Sequence, residues 1–238
     1  MKRLLCLFLI FGIVSPSWAA ISVVSHTTLT CNLANTTSAI DTTGASLLVV
    51  NVSAYGNGSP TITDSKGNTW HLLTSYVNGI IAYESIAYAW NPTVGTGHTF
   101  TFAAGSNYDE IIVTAFSGIQ ISADPLDGQN GAGGYSPQSG SITTTADGDL
   151  IFSGLGGAYA TSATVDSPFT IIDSLTSGPA YSSYTAWYVQ PSQGSIEPNW
   201  TPNNTYYGVI VAAFKAAGGG GGGGTPPTNP RRVMIIGN

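Results

Sequence analysis

The sequence predicts an all-β fold, an antiparallel β-sandwich of the jelly-roll kind built from two similar halves. Three observations carry that expectation. Between Ile21 and Lys215 no stretch of ten residues has helical periodicity. Short β-branched and aromatic runs recur there instead, bounded by Gly, Asn, Asp and Pro, which is the spacing of strands and turns. Third, several of these runs return in the same order about one hundred residues later, as one expects of a duplicated unit.

Taken in order, residues 1–19 read as a secretory signal peptide. Lys2 and Arg3 make a basic start, Leu4 to Val14 an apolar run, and Ser17 and Ala19 place small residues before the cleavage point. The run is short for a bilayer of about 30 Å, so the mature chain is expected outside the cell or in the periplasm, without a membrane span. Cys6 leaves with the signal, and Cys31 then remains as a single cysteine, expected to be a small buried residue rather than half of an intermolecular bridge.

The body spans 20–216. Ser46-Leu-Leu-Val-Val-Asn-Val52, His98-Thr-Phe-Thr-Phe102, Ile111-Ile-Val-Thr-Ala-Phe116 and Val209-Ile-Val-Ala-Ala-Phe214 read as strands, rich in residues that suit a pleated, half-buried surface. Asp64-Ser-Lys-Gly-Asn68 reads as the turn between two others, with Gly67 or Asn68 at positive φ. The ordered matches are Ser46–Val50 with Asp149–Ser153, Thr61–Asp64 with the segment ending at Asp166, Ala89–Pro92 with Tyr188–Pro191, and Ile111–Phe116 with Val209–Phe214. They divide the body into halves of about 37–119 and 140–216. The join, Gln120 to Ser139, is rich in Gly, Ser, Asp, Asn and Pro and is expected to be a long loop, functional or mobile. A half of roughly 80 residues without a disulfide has little core of its own, so the halves are expected to share one.

Residues 217–230 hold seven consecutive glycines and then a proline-rich stretch, a flexible linker. The tail 231–238 sets Val233, Met234, Ile235 and Ile236 behind two arginines. Its β propensity predicts self-association by strand addition to a sheet edge.

Asp41-Thr-Thr-Gly-Ala-Ser-Leu-Leu-Val-Val50, Thr63-Asp-Ser-Lys-Gly-Asn-Thr-Trp70, Gly97-His-Thr-Phe-Thr-Phe102 and Thr114-Ala-Phe-Ser-Gly118 together resemble a group of secreted bacterial and phage-borne β-sandwich proteins. These are jelly rolls of the lectin or concanavalin-like kind, and the resemblance covers roughly 37–216. The Asp-Ser-x-Gly-Asn-x-Trp element is its most specific part, and it implies no catalytic residues.

Charge narrows the function. Only 8% of residues are charged, against about 25% in an average domain. Lys2, Arg3, Arg231 and Arg232 sit at the ends, leaving Lys66 and Lys215 against all 12 acids of the body. Such a surface does not neutralise a phosphate backbone, so nucleic acid is excluded as a partner. His26, His71 and His98 are scattered without zinc-site spacing. No cofactor is expected. Calcium is the one with suitable ligand types, in Asp64–Asn68, Asp124–Asn130 and Asp147-Gly-Asp149, although such clusters are ordinarily turns.

Nucleophile-elbow and phosphate-loop motifs are missing from the sequence. Glycoside hydrolysis requires two facing carboxyls about 5–9.5 Å apart, and the chain offers three glutamates, Glu84, Glu110 and Glu197. Strand alternation puts Glu84, Ile86, Tyr88 and Trp90 on one face. The repeat matches Glu84 with Ser183 and keeps bulky residues at the others, so that face is expected to be packing. Tyr55, Tyr135, Tyr159 and Tyr206 lie in or beside Gly/Asn-rich segments where core packing is unnatural. They are the candidate ligand-binding residues, suited to stacking on sugar rings. The expected function is non-catalytic recognition of a carbohydrate or a protein or cell surface. Assembly through the tail and glycoside hydrolysis are the alternatives.

Overall fold

The computed structural model describes residues 20–31, 35–55, 61–79, 82–103, 109–177, 181–203 and 206–218. The signal peptide, the linker beyond Gly218 and the Val233–Ile236 tail lie outside the described residues.

The first part of the chain supplies β1 (Ser22–Thr30), β2 (Leu47–Ala54), β3 (Thr61–Asp64), β4 (His71–Leu72), β5 (Tyr76–Asn78), β6 (Ala82–Trp90), β7 (Phe100–Ala103) and β8 (Glu110–Ser117). The second supplies β9 (Leu126–Gly134), β10 (Ile142–Thr143), β11 (Asp149–Ala158), β12 (Ala163–Val165), β13 (Thr170–Ser177), β14 (Tyr181–Gln190), β15 (Ser195–Ile196), β16 (Trp200–Pro202) and β17 (Tyr206–Phe214). Every strand pairing is antiparallel. The all-β, antiparallel sandwich is thus the fold of the chain.

Two large sheets face each other. One runs β1-β8-β2-β6, with β4 and β5 both on the outer side of β6, and the other runs β13-β14-β11-β17-β9. Reading β9 for β1, β17 for β8, β11 for β2, β14 for β6 and β13 for β4 and β5 turns the first order into the second. The small β3–β7 ladder likewise corresponds to β12–β16. Even an irregularity recurs. Val23 and Ser25 straddle a bulge opposite Phe116 and Ala115, and Leu126 and Gly128 straddle one opposite Phe214 and Ala213.

This arrangement differs from a jelly roll of interleaved halves, because each large sheet draws its strands from one part of the chain. It also corrects the join. Residues 126–134 form β9, an edge strand hydrogen-bonded to β17, instead of a long loop. Its composition, Leu-Asp-Gly-Gln-Asn-Gly-Ala-Gly-Gly, reads as a loop because glycine is depleted in strands. The glycines are required by what crosses them. A Cβ on Gly131 would strike the Tyr76 ring, and one on Gly133 would strike the backbone of Val77.

Strand alternation then builds three large apolar clusters and a small fourth at Ala82, Ala158 and Tyr181. Leu47, Val49, Ile86, Tyr88 and Phe116 of the first sheet meet Leu150, Phe152, Ile210, Ala212 and Phe214 of the second, so the halves do share a core. Each half also has one of its own, contrary to expectation. Leu48, Val50, Val52 and Val113 point away from the sandwich and are covered by Phe100 and Phe102 of β7. Ile151, Leu155, Val209 and Val211 are covered in the same way by Trp200 of β16. The extra small ladders make this possible, adding an outer layer to each sheet. Central strands such as β2 are therefore buried on both faces, which is why they read as continuous apolar runs.

The sheet edges are tied together at both sides. His26 on β1 meets Asp173 on β13 at 2.7 Å. On the other side, Gln129 of β9 hydrogen-bonds Thr74, and Asn78 donates to the Gly134 carbonyl at 2.6 Å.

Between the sheets the apolar core gives way to a polar patch. Ser53 Oγ donates to Glu84 Oε2 at 2.6 Å and lies 2.8 Å from Ser183 Oγ, while Asn51 Nδ2 donates to Ser183 Oγ at 3.1 Å. The positions equivalent to Asn51 and Ser53 in the second half are Gly154 and Gly156, and a Cβ on either would run into this patch. Burial pushes the Glu84 carboxyl well above its usual range, against the pull of the Ser53 and Asn51 hydrogen bonds. A carboxyl raised in the folded state contributes stability that is fully present below its unfolded pKa and lost as pH rises through the folded one. Glu84→Gln is therefore expected to gain in melting midpoint relative to the parent as pH rises from 4 to 8. Thermal melts across pH 4–8 check this; a constant gap between the two proteins would contradict it.

Candidate functional site: the tyrosine-bearing end

Register decides what lies at each end of the sandwich. At the end of β11, Ala158 pairs with Tyr206 on one side and Tyr181 on the other. Gly134, the last residue of β9, pairs with Tyr207. Tyr159 and Tyr135 follow these two residues directly, so both emerge beside Tyr206. In the facing sheet β2 ends at Ala54, and Tyr55 follows. Its ring stands edge-on to Tyr181 at 6.5 Å, and the Tyr181 hydroxyl accepts the Tyr83 N–H at 3.2 Å. All four candidate tyrosines thus reach the same end of the molecule.

They do different things there. The rings of Tyr135 and Tyr206 are in contact, with centroids 5.4 Å apart and planes at 56°. Tyr135 is 72% exposed and Tyr159 56%, whereas Tyr206 is half-buried against Ala82, Ala158 and Tyr181. Tyr206 is the anchor and Tyr135 the exposed face of that pair. Tyr55 is 41% exposed. Tyr159 holds φ at +62°, a left-handed conformation that bulky residues rarely adopt. Strain of this kind persists where surrounding structure imposes it, and it is enriched at functional sites. Lys66, after β3, and Lys215, after β17, both sit toward the other end.

The Asp64–Trp70 element, the most specific part of the sequence resemblance, has a different role. Asp64 accepts hydrogen bonds from Lys66 N at 2.8 Å, Asn68 N at 3.2 Å, Asn68 Nδ2 at 3.1 Å and Trp70 Nε1 at 2.9 Å. His98 Nε2 faces the same carboxylate at 2.9 Å, both side chains being fully buried. Gly67 takes φ +74° at the tip, as the turn requires. Burial opposes ionisation of Asp64, but His98, Lys66 and Trp70 outweigh it and hold the carboxyl below its ordinary value. Donors converge on this carboxylate, so it is a completed anion site inside the fold and not a shell awaiting calcium.

Thr42 Oγ1 lies 2.9 Å from His98 Nδ1, completing a Thr–His–Asp chain with the spacing of a catalytic triad. Thr42 and His98 are fully buried and the Thr42 hydroxyl is engaged with Gly95 N and O, so a substrate has no approach. The glutamates offer no cleft either. Glu84 is enclosed between the sheets and Glu110 is fully buried, while Glu197 accepts the Gly140 N–H at 3.0 Å in another part of the second half. Among the described residues no three His, Cys, Asp or Glu side chains converge as metal ligands do. Cys31 is buried, and burial together with Asp109 and Glu110 pushes its thiol up to about 12.

Two of the Asp-bearing segments singled out in the sequence, Asp124–Asn130 and Asp147-Gly-Asp149, meet in one charged cluster with Lys215, a meeting the sequence did not show. Asp127, on the bulge of β9 with its carboxylate nearly covered, accepts from Thr145 and lies 3.1 Å from Lys215 Nζ. Burial and the neighbouring Asp127 push the Asp149 carboxyl up to about 7. The matching residue in the first half is Ser46, so no repeat signal marked it. Against known proteins, the chain matches no family model, no curated protein and no solved structure.

Proposed function

We propose that the protein is an exported, non-catalytic recognition module whose tyrosine-bearing end binds a neutral glycan. The observation that carries this is the exposed Tyr135 ring packed on Tyr206, with Tyr159 and Tyr55 at the same end. Exposed large apolar side chains are few on this surface. Among the described residues three of the six are these tyrosines; the others, Leu72, Ile121 and Ile171, are spread over separate parts of the chain. An aromatic ring stacks on the C–H face of a sugar, while its hydroxyl takes a hydrogen bond at the rim. The lack of lysine at this end favours an uncharged ligand over an acidic one. The basic, apolar and small-residue pattern of 1–19 supports delivery outside the cytoplasm, where such ligands are found.

The test is a glycan array followed by calorimetry on the strongest ligand. Tyr135→Ala and Tyr206→Ala are each expected to weaken binding about five- to tenfold, the equivalent of roughly 1–1.4 kcal/mol per aromatic contact. Tyr135→Phe is expected to bind nearly as the parent does. Unchanged affinity in both alanine variants, or an array without ligands, would overturn the proposal.

A further inference from the structure

Each half has a hollow at the end of the sandwich opposite the tyrosines. In the first half it lies between the turn after β3 and the end of β6, has a volume of about 280 Å³, and is lined by Asn68, Thr69, His71, Trp90, Asn91 and Thr93 among others. In the second half Pro168, Thr170, Trp187, Tyr188 and Val189 line one of about 270 Å³. Ala89–Asn91 and Tyr188–Gln190 are equivalent, since Trp90 pairs with Leu47 and Val189 with Leu150. The hollow is therefore a product of the fold, made twice. What lines it differs. The second is mostly apolar, whereas the first surrounds one indole with amides and hydroxyls. That polar lining is a property of this chain's residues and not of its architecture.

The first hollow is organised for a ligand. Trp90 is half-buried, its inner side packed on the shared core, so the ring is held in place. His71 stacks on Tyr88 at 5.3 Å, fixing a second flat group at the rim. Asn68 Oδ1 accepts Thr93 N–H at 2.6 Å and pins the far wall. Asn91 holds φ at +48°, a left-handed backbone at the mouth of the hollow. The Thr69, Asn91 and Thr93 side chains make no hydrogen bond to other described residues, and their polar atoms remain available. The lining includes no lysine, arginine or carboxylate.

We infer that the hollow beside Trp90 is a second binding site, a subsite for one uncharged sugar ring. A volume near 280 Å³ suits a single ring and is too small for most drug-sized ligands. An aromatic floor with amide and hydroxyl walls recognises the apolar face and the equatorial hydroxyls of such a ring. Tyr83 and Trp90 mark opposite ends of β6, which places the hollow about 23 Å from the tyrosine end at 3.3 Å per residue. Two sites this far apart engage one chain of several sugars or two separate chains. The inference shares its ligand class with the proposed function and stands on separate residues.

The experiment is calorimetry of the full mature chain with four probes, the β-1,4-linked hexamers of glucose, xylose, mannose and N-acetylglucosamine. Trp90→Ala and Thr93→Glu are compared with the parent and with Tyr135→Ala. Trp90 contributes to packing, so Thr93→Glu, an exposed rim position, is the variant that keeps the fold, with its melting midpoint as the control. At least one hexamer is expected to bind the parent, with affinity tenfold or more weaker in both hollow variants. Binding lost in Tyr135→Ala but intact in Thr93→Glu overturns this inference and leaves the tyrosine reading standing. The reverse result supports the hollow and overturns the tyrosine reading. No binding of any hexamer to the parent overturns the inference.

Discussion

Asp64→Ala is expected to destabilise the fold by roughly 3–5 kcal/mol, the range for removing one partner of a buried, charge-assisted network. The carboxylate is the common acceptor for Lys66 N–H, both Asn68 donors, Trp70 Nε1 and the His98 ring. Alanine leaves these groups in place without an acceptor, and those that stay buried each carry an unpaid desolvation cost. The turn after β3 also loses the group that shapes it, and Trp70 loses its tether beside Phe100. Denaturant titration gives the free energy. A fall in melting midpoint of about 10 °C is the thermal counterpart at 2–4 °C per kcal/mol. Asp64→Asn is expected to fall between the two, since it keeps the shape and one acceptor oxygen. A loss below about 1 kcal/mol for alanine would show that water or a shifted turn replaces the carboxylate.

Gly154→Ala is expected to cost about 2–3 kcal/mol or more, as overpacking between rigid layers does. Its Cβ would collide with Asn51 Oδ1 and then with Glu84 Oε1 across the sheet interface. Neither neighbour has room, because Asn51 is held by Ser183 and Glu84 by Ser53. Asn51→Ala in the same molecule removes the obstruction. The double variant is expected to be more stable than the sum of the single effects allows, with a coupling of about 1–2 kcal/mol. Additive effects in that double-mutant cycle would mean that the sheets move apart instead of clashing.

Much of this fold was legible in the residues, for identifiable reasons. β2, β8 and β17 carry β-branched runs, Val49–Val50, Ile111–Val113 and Val209–Val211, that read as strands without helical spacing. Asp64-Ser-Lys-Gly-Asn68 announced its own turn because a short carboxylate and a glycine at positive φ are local chemistry. β9 was hidden. Its ladder to β17 is made of backbone groups alone, and its glycines answer to Tyr76 and Val77, fifty-odd residues away in sequence. The outer layers were hidden too, since a short run such as Phe100–Ala103 does not say which sheet it covers. At the candidate site the four tyrosines could be picked out by their Gly- and Asn-rich surroundings. Their meeting could not, because it depends on the register that sets Ala158 between Tyr181 and Tyr206. The Trp90 hollow was invisible for the same reason, its lining coming from two separate segments, 67–71 and 89–93.

The polar patch between the sheets has a consequence for how the halves recognise each other. The first half presents Asn51, Ser53 and Glu84 at its face; the second presents Gly154, Gly156 and Ser183 at the equivalent places. Two first halves brought together would set protruding polar groups against one another, and two second halves would leave a hollow where glycines meet. The two faces are thus complementary, with side chains of one sheet seated over glycines of the other, and the segment between Gln120 and β9 connects them in one chain.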